Sequence, residues 1–103
     1  MSFLQSLFSG GKTADLQKLI EQGAYLVDVR GPGEFAQGSV RGAVNIPLDT
    51  ISSQIAKFKN KQNIIVFCRS GNRSGQAKII LEQQGIQNVV NGGTWENVNQ
   101  FVK

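Results

Sequence analysis

Apolar positions along this chain come in two rhythms. Four short, mostly apolar runs stand out: 24–29 (AYLVDV), 43–46 (AVNI), 63–67 (NIIVF) and 87–90 (QNVV). Their length and β-branched content predict strands, and the continuous run NIIVF predicts one buried on both faces. Between them, apolar residues recur at helical spacing. Leu16, Leu19 and Ile20 share one face of a helix over 13–22, with Thr13 as N-cap and Gly23 as its stop. Ile51, Ile55 and Phe58 do the same over 49–58, capped by Asp49 or Thr50. A third helix over 74–84 ends at Gly85, and a closing helix over 94–101 gathers Trp95, Val98 and Phe101. RGPGEFAQGS reads as a loop with one helical turn around Glu34 and Phe35, and Asn91-Gly92-Gly93 as a turn. Strands alternating with helices predict an α/β fold: a mostly parallel sheet covered on both faces.

Composition narrows this to one domain. The chain has 103 residues, 40% of them hydrophobic, enough for one core and too few for two. Residues 13–103 are read as the domain and 1–12 as an N-terminal extension. In that extension Phe3, Leu4, Leu7 and Phe8 are interrupted by Gln5 and Ser6, too short and broken for a signal peptide or membrane span. They suit an amphipathic turn docked on the body. With no long apolar surface helix, a monomer is expected.

The net charge of +4 raises the question of an anionic partner. Lys57, Lys59 and Lys61 cluster in a polar stretch that reads as a solvated helix end, and no basic run is interleaved with aromatics. Nucleic acid and membrane are therefore not expected partners. One cysteine and no histidine exclude an internal disulfide and a Cys/His zinc site, so no metal is expected. A reduced, cytoplasmic setting follows as the expectation.

The chemistry concentrates in one place. A buried strand ends at Cys68, and a helix begins a few residues later. Sites in open α/β sheets lie at the carboxyl ends of strands. The intervening Arg69-Ser70-Gly71-Asn72-Arg73 is polar, cationic and glycine-containing. Such a loop can curl its N–H groups inward as an anion nest, and the next helix adds its free N-terminal N–H groups. A thiolate there needs no histidine partner, because each of these dipoles and charges favours the ionised form. The competing reading is an inert cysteine packed as a small hydrophobe. Two arginines and a glycine within five positions argue against it.

Four segments then resemble the rhodanese family, from about Thr13 to Phe101. Cys68-Arg69-Ser70-Gly71-Asn72-Arg73-Ser74 resembles its active-site loop. Leu26-Val27-Asp28-Val29-Arg30 with Glu34-Phe35 and Gly38, Gly42-Ala43-Val44-Asn45-Ile46-Pro47, and Gly92-Gly93-Thr94-Trp95 resemble its other signatures. The resemblance implies a three-layer fold with a five-stranded, mostly parallel sheet. It implies a sulfurtransferase in which Cys68 takes sulfane sulfur from thiosulfate or another persulfide donor. The resulting persulfide is held by the loop from Arg69 to Ser74 and passed to cyanide, a cellular thiol or a protein acceptor. No cofactor beyond that covalent persulfide is implied. The Cys68-x4-Arg73 loop is one residue shorter than the Cys-x5-Arg loop of related phosphatases and arsenate reductases, which suits one extra sulfur atom rather than a tetrahedral oxyanion.

The alternatives to a free-standing enzyme are a partner-fed sulfur carrier, a phosphatase-like enzyme and a redox-sensing thiol. Supporting roles are open at four residues. Asp28 either orients an active-loop arginine or bonds the N–H groups of its own turn. Arg30 is expected to pair with Glu34. Ser39-Val40-Arg41-Gly42-Ala43 replaces a histidine-containing family pattern, and Arg41 either reaches the site or is an exposed loop arginine. Trp95 is a core aromatic or part of the substrate rim.

Overall fold

The computed structural model describes residues 10–103, with side chains from Asp15 onward. The apolar turn expected at Phe3–Phe8 lies outside the described residues. The order of elements is helix α1 (Gly10–Glu21), strand β1 (Tyr25–Asp28), helix α2 (Pro32–Gln37) and strand β2 (Val44–Asn45). A 3-10 segment (Leu48–Phe58), strand β3 (Ile64–Cys68), helix α3 (Asn72–Gln83), strand β4 (Val89–Thr94) and helix α4 (Trp95–Asn99) follow. Because α1 begins at Gly10, Thr13 lies inside it and is not its N-cap.

The sheet is parallel throughout, in the order β2-β1-β3-β4. It has four strands among the described residues, the four that the apolar runs predict, and not the five that the family resemblance implies. β1 is followed in sequence by β2 on one side and flanked by β3 on the other, so the chain reverses direction across the sheet between β1 and β3. The carboxyl ends at such a switch point leave a crevice. Asp28 ends β1 there, and Cys68 ends β3.

Strand β3 is buried at every position because both its faces are covered. Side chains alternate between faces. Ile64, Val66 and Cys68 join Ala77 and Leu81 of α3 with Ile51 and Phe58 of the 3-10 segment. Ile65 and Phe67 join Leu16 of α1 and Val98 of α4 on the other side. The period of two therefore aims Cys68 at the face that carries α3, whose N-terminus follows it in the chain.

Two local readings change. Over 48–58 the apolar face is as expected, with Ile51 and Phe58 buried, yet the backbone is 3-10 with a kink at Gln54 (φ −125°, ψ 27°). Hydroxyls compete for the carbonyls here: Thr50 Oγ1 donates to Pro47 O at 2.9 Å, and Ser53 Oγ to Thr50 O at 2.9 Å. Neither Asp49 nor Thr50 caps the segment; the N-cap is Pro47, with no side-chain hydrogen bond.

Asn91-Gly92-Gly93 is not a turn but part of β4. Val66 pairs with Asn91 and Cys68 with Thr94, so β4 carries one extra residue, a β-bulge. Gly93 adopts φ +83°, and its N–H is captured by Asn91 Oδ1 at 2.9 Å. Gly92 is required by packing: a Cβ there would lie 2.6 Å from Val98 Cγ2 and 2.9 Å from Ile65 Cγ2, both β-branched and fully buried. Gly92→Ala is expected to destabilise the fold by about 1–3 kcal/mol, the usual scale of overpacking. A chemical denaturation midpoint unchanged from the parent would contradict this packing.

Candidate active site

The loop after β3 folds back over its own cysteine. Gly71 takes φ +94°, a left-handed conformation suited to glycine, and starts α3 as its N-cap. That turn brings Gly71 N to 3.0 Å from Cys68 Sγ and Ser74 N to 3.4 Å. Ser74 Oγ lies 3.4 Å from the same sulfur. Cys68 and Ser74 are both fully buried. Burial pushes the Cys68 thiol up. The Ser74 hydroxyl and the amides of Ser74, Ser70 and Gly71 outweigh that effect, and the thiol sits below its ordinary range. Of the loop residues Arg69–Ser74, Gly71 and Ser74 bring hydrogen-bonding groups to the one sulfur.

The two arginines of the loop diverge. Arg73 is clamped by Glu34 of α2, with Nη1 donating to Oε1 at 2.8 Å and Nη2 to Oε2 at 3.1 Å. This fork, with the Gly31 N–H on Glu34 Oε1 at 3.1 Å, brings the Glu34 carboxyl down to about 2. Arg69 is exposed and lines a cleft of about 330 Å³ together with Arg30, Glu34, Gln37, Gly38, Trp95 and Glu96. A second cleft, of about 390 Å³, lies at the opposite end of the sheet, between Phe58–Lys61 and Gln84–Asn88, away from Cys68. Ser70 and Asn72 stay exposed, joined by the Asn72 N–H on Ser70 Oγ at 3.4 Å.

The supporting residues pair differently from expectation. Arg30 does not bond Glu34. It donates to Asp28 through Nε and Nη2, the latter at 2.7 Å from Oδ2, in a buried ion pair. Charge matching is the reason: Asp28 is completely buried beside it, whereas Glu34 faces Arg73. Asp28 also accepts from the Arg30 N–H at 2.9 Å and from Ser39 Oγ at 2.6 Å, so it organises its own turn and not a loop arginine. Arg30 Nη2 reaches Gly38 O at 2.6 Å, and its guanidinium sits 5.3 Å from the centre of the Trp95 ring. Trp95 is half-buried, packed against the Phe67 side of the core and lining the Arg69 cleft. Arg41 is exposed and donates to Lys103 O at 3.1 Å; it joins none of these contacts.

Asn91 was not among the expected site residues. Its Oδ1 accepts from Ser74 Oγ at 2.7 Å, and its Nδ2 donates to Gly71 O at 3.0 Å. Asn91 pairs with Val66 in regular register, ahead of the bulge, so the period of two aims its side chain, like that of Val89, at the face that carries α3; the one sequence signal is an asparagine directly before paired glycines.

The rhodanese-like domain model matches residues 12–96. Thiosulfate sulfurtransferase PspE of Escherichia coli (strain K12) is 39% identical over 74 residues, covering 70% of this chain and 71% of that protein. Thiosulfate sulfurtransferase GlpE of Pseudomonas aeruginosa is 33% identical over 87 residues, covering 81% of this chain and 79% of its own. A solved structure described as rhodanese with anions from E. coli superposes with a TM-score of 0.66 at 38% identity, over 73% of this chain and 91% of that one. The human single-domain sulfurtransferase TSTD1 gives 0.69 at 27% identity, over 82% and 88%. No helix among the described residues is long and apolar enough to cross a membrane.

Proposed function

This chain belongs to the rhodanese-like domain family, a sulfurtransferase of the thiosulfate sulfurtransferase type, and on that premise we propose that Cys68 carries the sulfur. The observation that supports this reading most is the convergence of the Gly71 and Ser74 donors on a single buried sulfur. Donors so arranged favour an anion at that point, and each stage of the reaction has one there.

In the first half-reaction the Cys68 thiolate attacks the outer sulfur of thiosulfate. A new S–S bond forms on Cys68, the old S–S bond breaks, and its electron pair leaves on sulfite. The product is an anionic persulfide. In the second half-reaction a thiophile, cyanide or a thiolate, attacks the terminal sulfur, and Cys68 departs as the thiolate it began as. Arg69, exposed at the rim of the cleft beside Trp95, is the cation suited to draw in the donor and to meet the departing sulfite. Arg73, held by Glu34, fixes α2 against the start of α3.

Two half-reactions through a covalent intermediate predict parallel double-reciprocal plots when thiosulfate and cyanide are varied together. Converging lines would contradict this order. A depressed thiol also sets the pH dependence of the first half-reaction. The reactive thiolate is fully present above the Cys68 midpoint and lost as pH falls through it. Single-turnover persulfide formation is expected to level off below the roughly pH 8.5 of a free cysteine. A plateau reached only above that value would remove the nest from the mechanism.

A further inference from the structure

The Ser74 hydroxyl has one hydrogen and two acceptors within reach. Asn91 Oδ1 is 2.7 Å away and Cys68 Sγ is 3.4 Å away. The first distance is that of a good O–H···O hydrogen bond. An amide oxygen cannot donate, so the hydrogen of the short contact belongs to Ser74. With Cys68 protonated the three groups form a chain: S–H to Ser74 Oγ, and Ser74 O–H to Asn91 Oδ1. Once Cys68 ionises, the same hydroxyl hydrogen can stay with Asn91 or turn to the sulfur.

Asn91 is built to hold its side. Its Oδ1 also takes the Gly93 N–H at 2.9 Å, and its Nδ2 is fixed on Gly71 O at 3.0 Å. Swapping the oxygen and nitrogen of the amide would set NH2 against the Gly93 N–H and oxygen against the Gly71 carbonyl. The orientation of Asn91 is therefore determined by backbone on two sides. We propose that Asn91 is a positioning residue that competes for the Ser74 hydroxyl hydrogen, limits how far it turns to Cys68 and so keeps electron density on the attacking sulfur. A hydrogen bond to a thiolate stabilises it but weakens it as a nucleophile. The amides of Gly71 and Ser74 supply stabilisation from fixed positions, while Asn91 limits what the one movable donor adds to it.

The charged groups around Cys68 are Arg69 on the loop, Arg73 on α3, Asp28 at the end of β1, Arg30 just after it, and Glu34 on α2. None of them hydrogen-bonds Ser74 or Asn91. Asn91 meets the surroundings of the sulfur at two points, Ser74 Oγ and Gly71 O, and of these Ser74 is the one proposed to carry its effect on the thiol.

The test is the thiolate ultraviolet absorbance of the full chain as a function of pH, each variant corrected with its own Cys68→Ser partner. Releasing the hydroxyl in Asn91→Ala is expected to lower the Cys68 midpoint by about 1–2 pH units, the scale of one hydrogen bond to an ionised group. In a Ser74→Ala background the same substitution is expected to leave the midpoint where Ser74→Ala alone puts it. A midpoint that is unchanged or raised by Asn91→Ala, or that shifts equally without Ser74, overturns the proposal. Should Asn91→Ala not fold, Asn91→Asp keeps the acceptor and adds charge. It is expected to raise the midpoint, and by less when Ser74 is alanine; an equal rise in both backgrounds sinks the idea. The inference rests on Cys68 being the reacting thiol. Absorbance reads its ionisation without any sulfur donor, so failure of this coupling and failure of sulfur transfer are separate results.

Discussion

Replacing Cys68 with serine is expected to bring sulfur transfer from thiosulfate to cyanide down to the rate of a protein-free control, with the fold intact. The hydroxyl is nearly the size of the thiol, so the buried site at the end of β3 is neither emptied nor overfilled. It can accept the same Gly71 and Ser74 N–H groups that now point at sulfur. It cannot ionise near neutral pH, nor can it form the S–S bond that stores the transferred atom. Stability is expected to change by no more than about 1–2 kcal/mol. Thiocyanate formation and a thermal melt on the same sample check both halves. Retained turnover would remove Cys68 from the mechanism.

Asp28→Ala is expected to cost far more in stability. Asp28 is wholly buried and Arg30 nearly so. The pair is joined through Nε and Nη2, and the carboxylate further holds the Arg30 N–H and Ser39 Oγ. Removing one partner of a buried pair leaves a charge with neither water nor counter-ion, at a cost of about 3–5 kcal/mol. In a chain of this size that lowers the melting temperature by about 12 °C or more. Because Arg30 also bonds Gly38 O and stacks near Trp95, the cleft beside Arg69 should loosen too. The double replacement Asp28→Leu with Arg30→Met is expected to recover much of the loss, since no charge is then stranded. A single Asp28→Ala that melts within a few degrees of the parent would show that the pair carries little of the fold.

Much of this was legible in the residues. NIIVF reads most clearly as a buried strand, and a cysteine at its end then falls where an α/β sheet opens to a ligand. The charged loop that follows pointed to an anion-stabilising site. What stayed hidden depended on partners brought from afar. Arg30 sits four residues from Glu34 and two from Asp28, and spacing alone did not distinguish a carboxylate buried at a strand end from one on a helix that Arg73 reaches. The 3-10 segment has the apolar spacing of an α-helix; what changes it is Thr50 and Ser53 bonding backward to carbonyls. Paired glycines at 92–93 look like a turn, and only the side chains of Val98 and Ile65 show that they are a strand allowing close approach. Asn91 was missed because the glycines after it make its segment read as a turn; once β4 runs through it, the period of two faces it to Ser74.

Whether Cys68 becomes a persulfide can be read from the intact mass of the reduced chain after incubation with thiosulfate. A gain of one sulfur atom is expected, absent in Cys68→Ser and lost on adding cyanide. An unchanged mass, with Cys68 shown to be free and reduced, would contradict it.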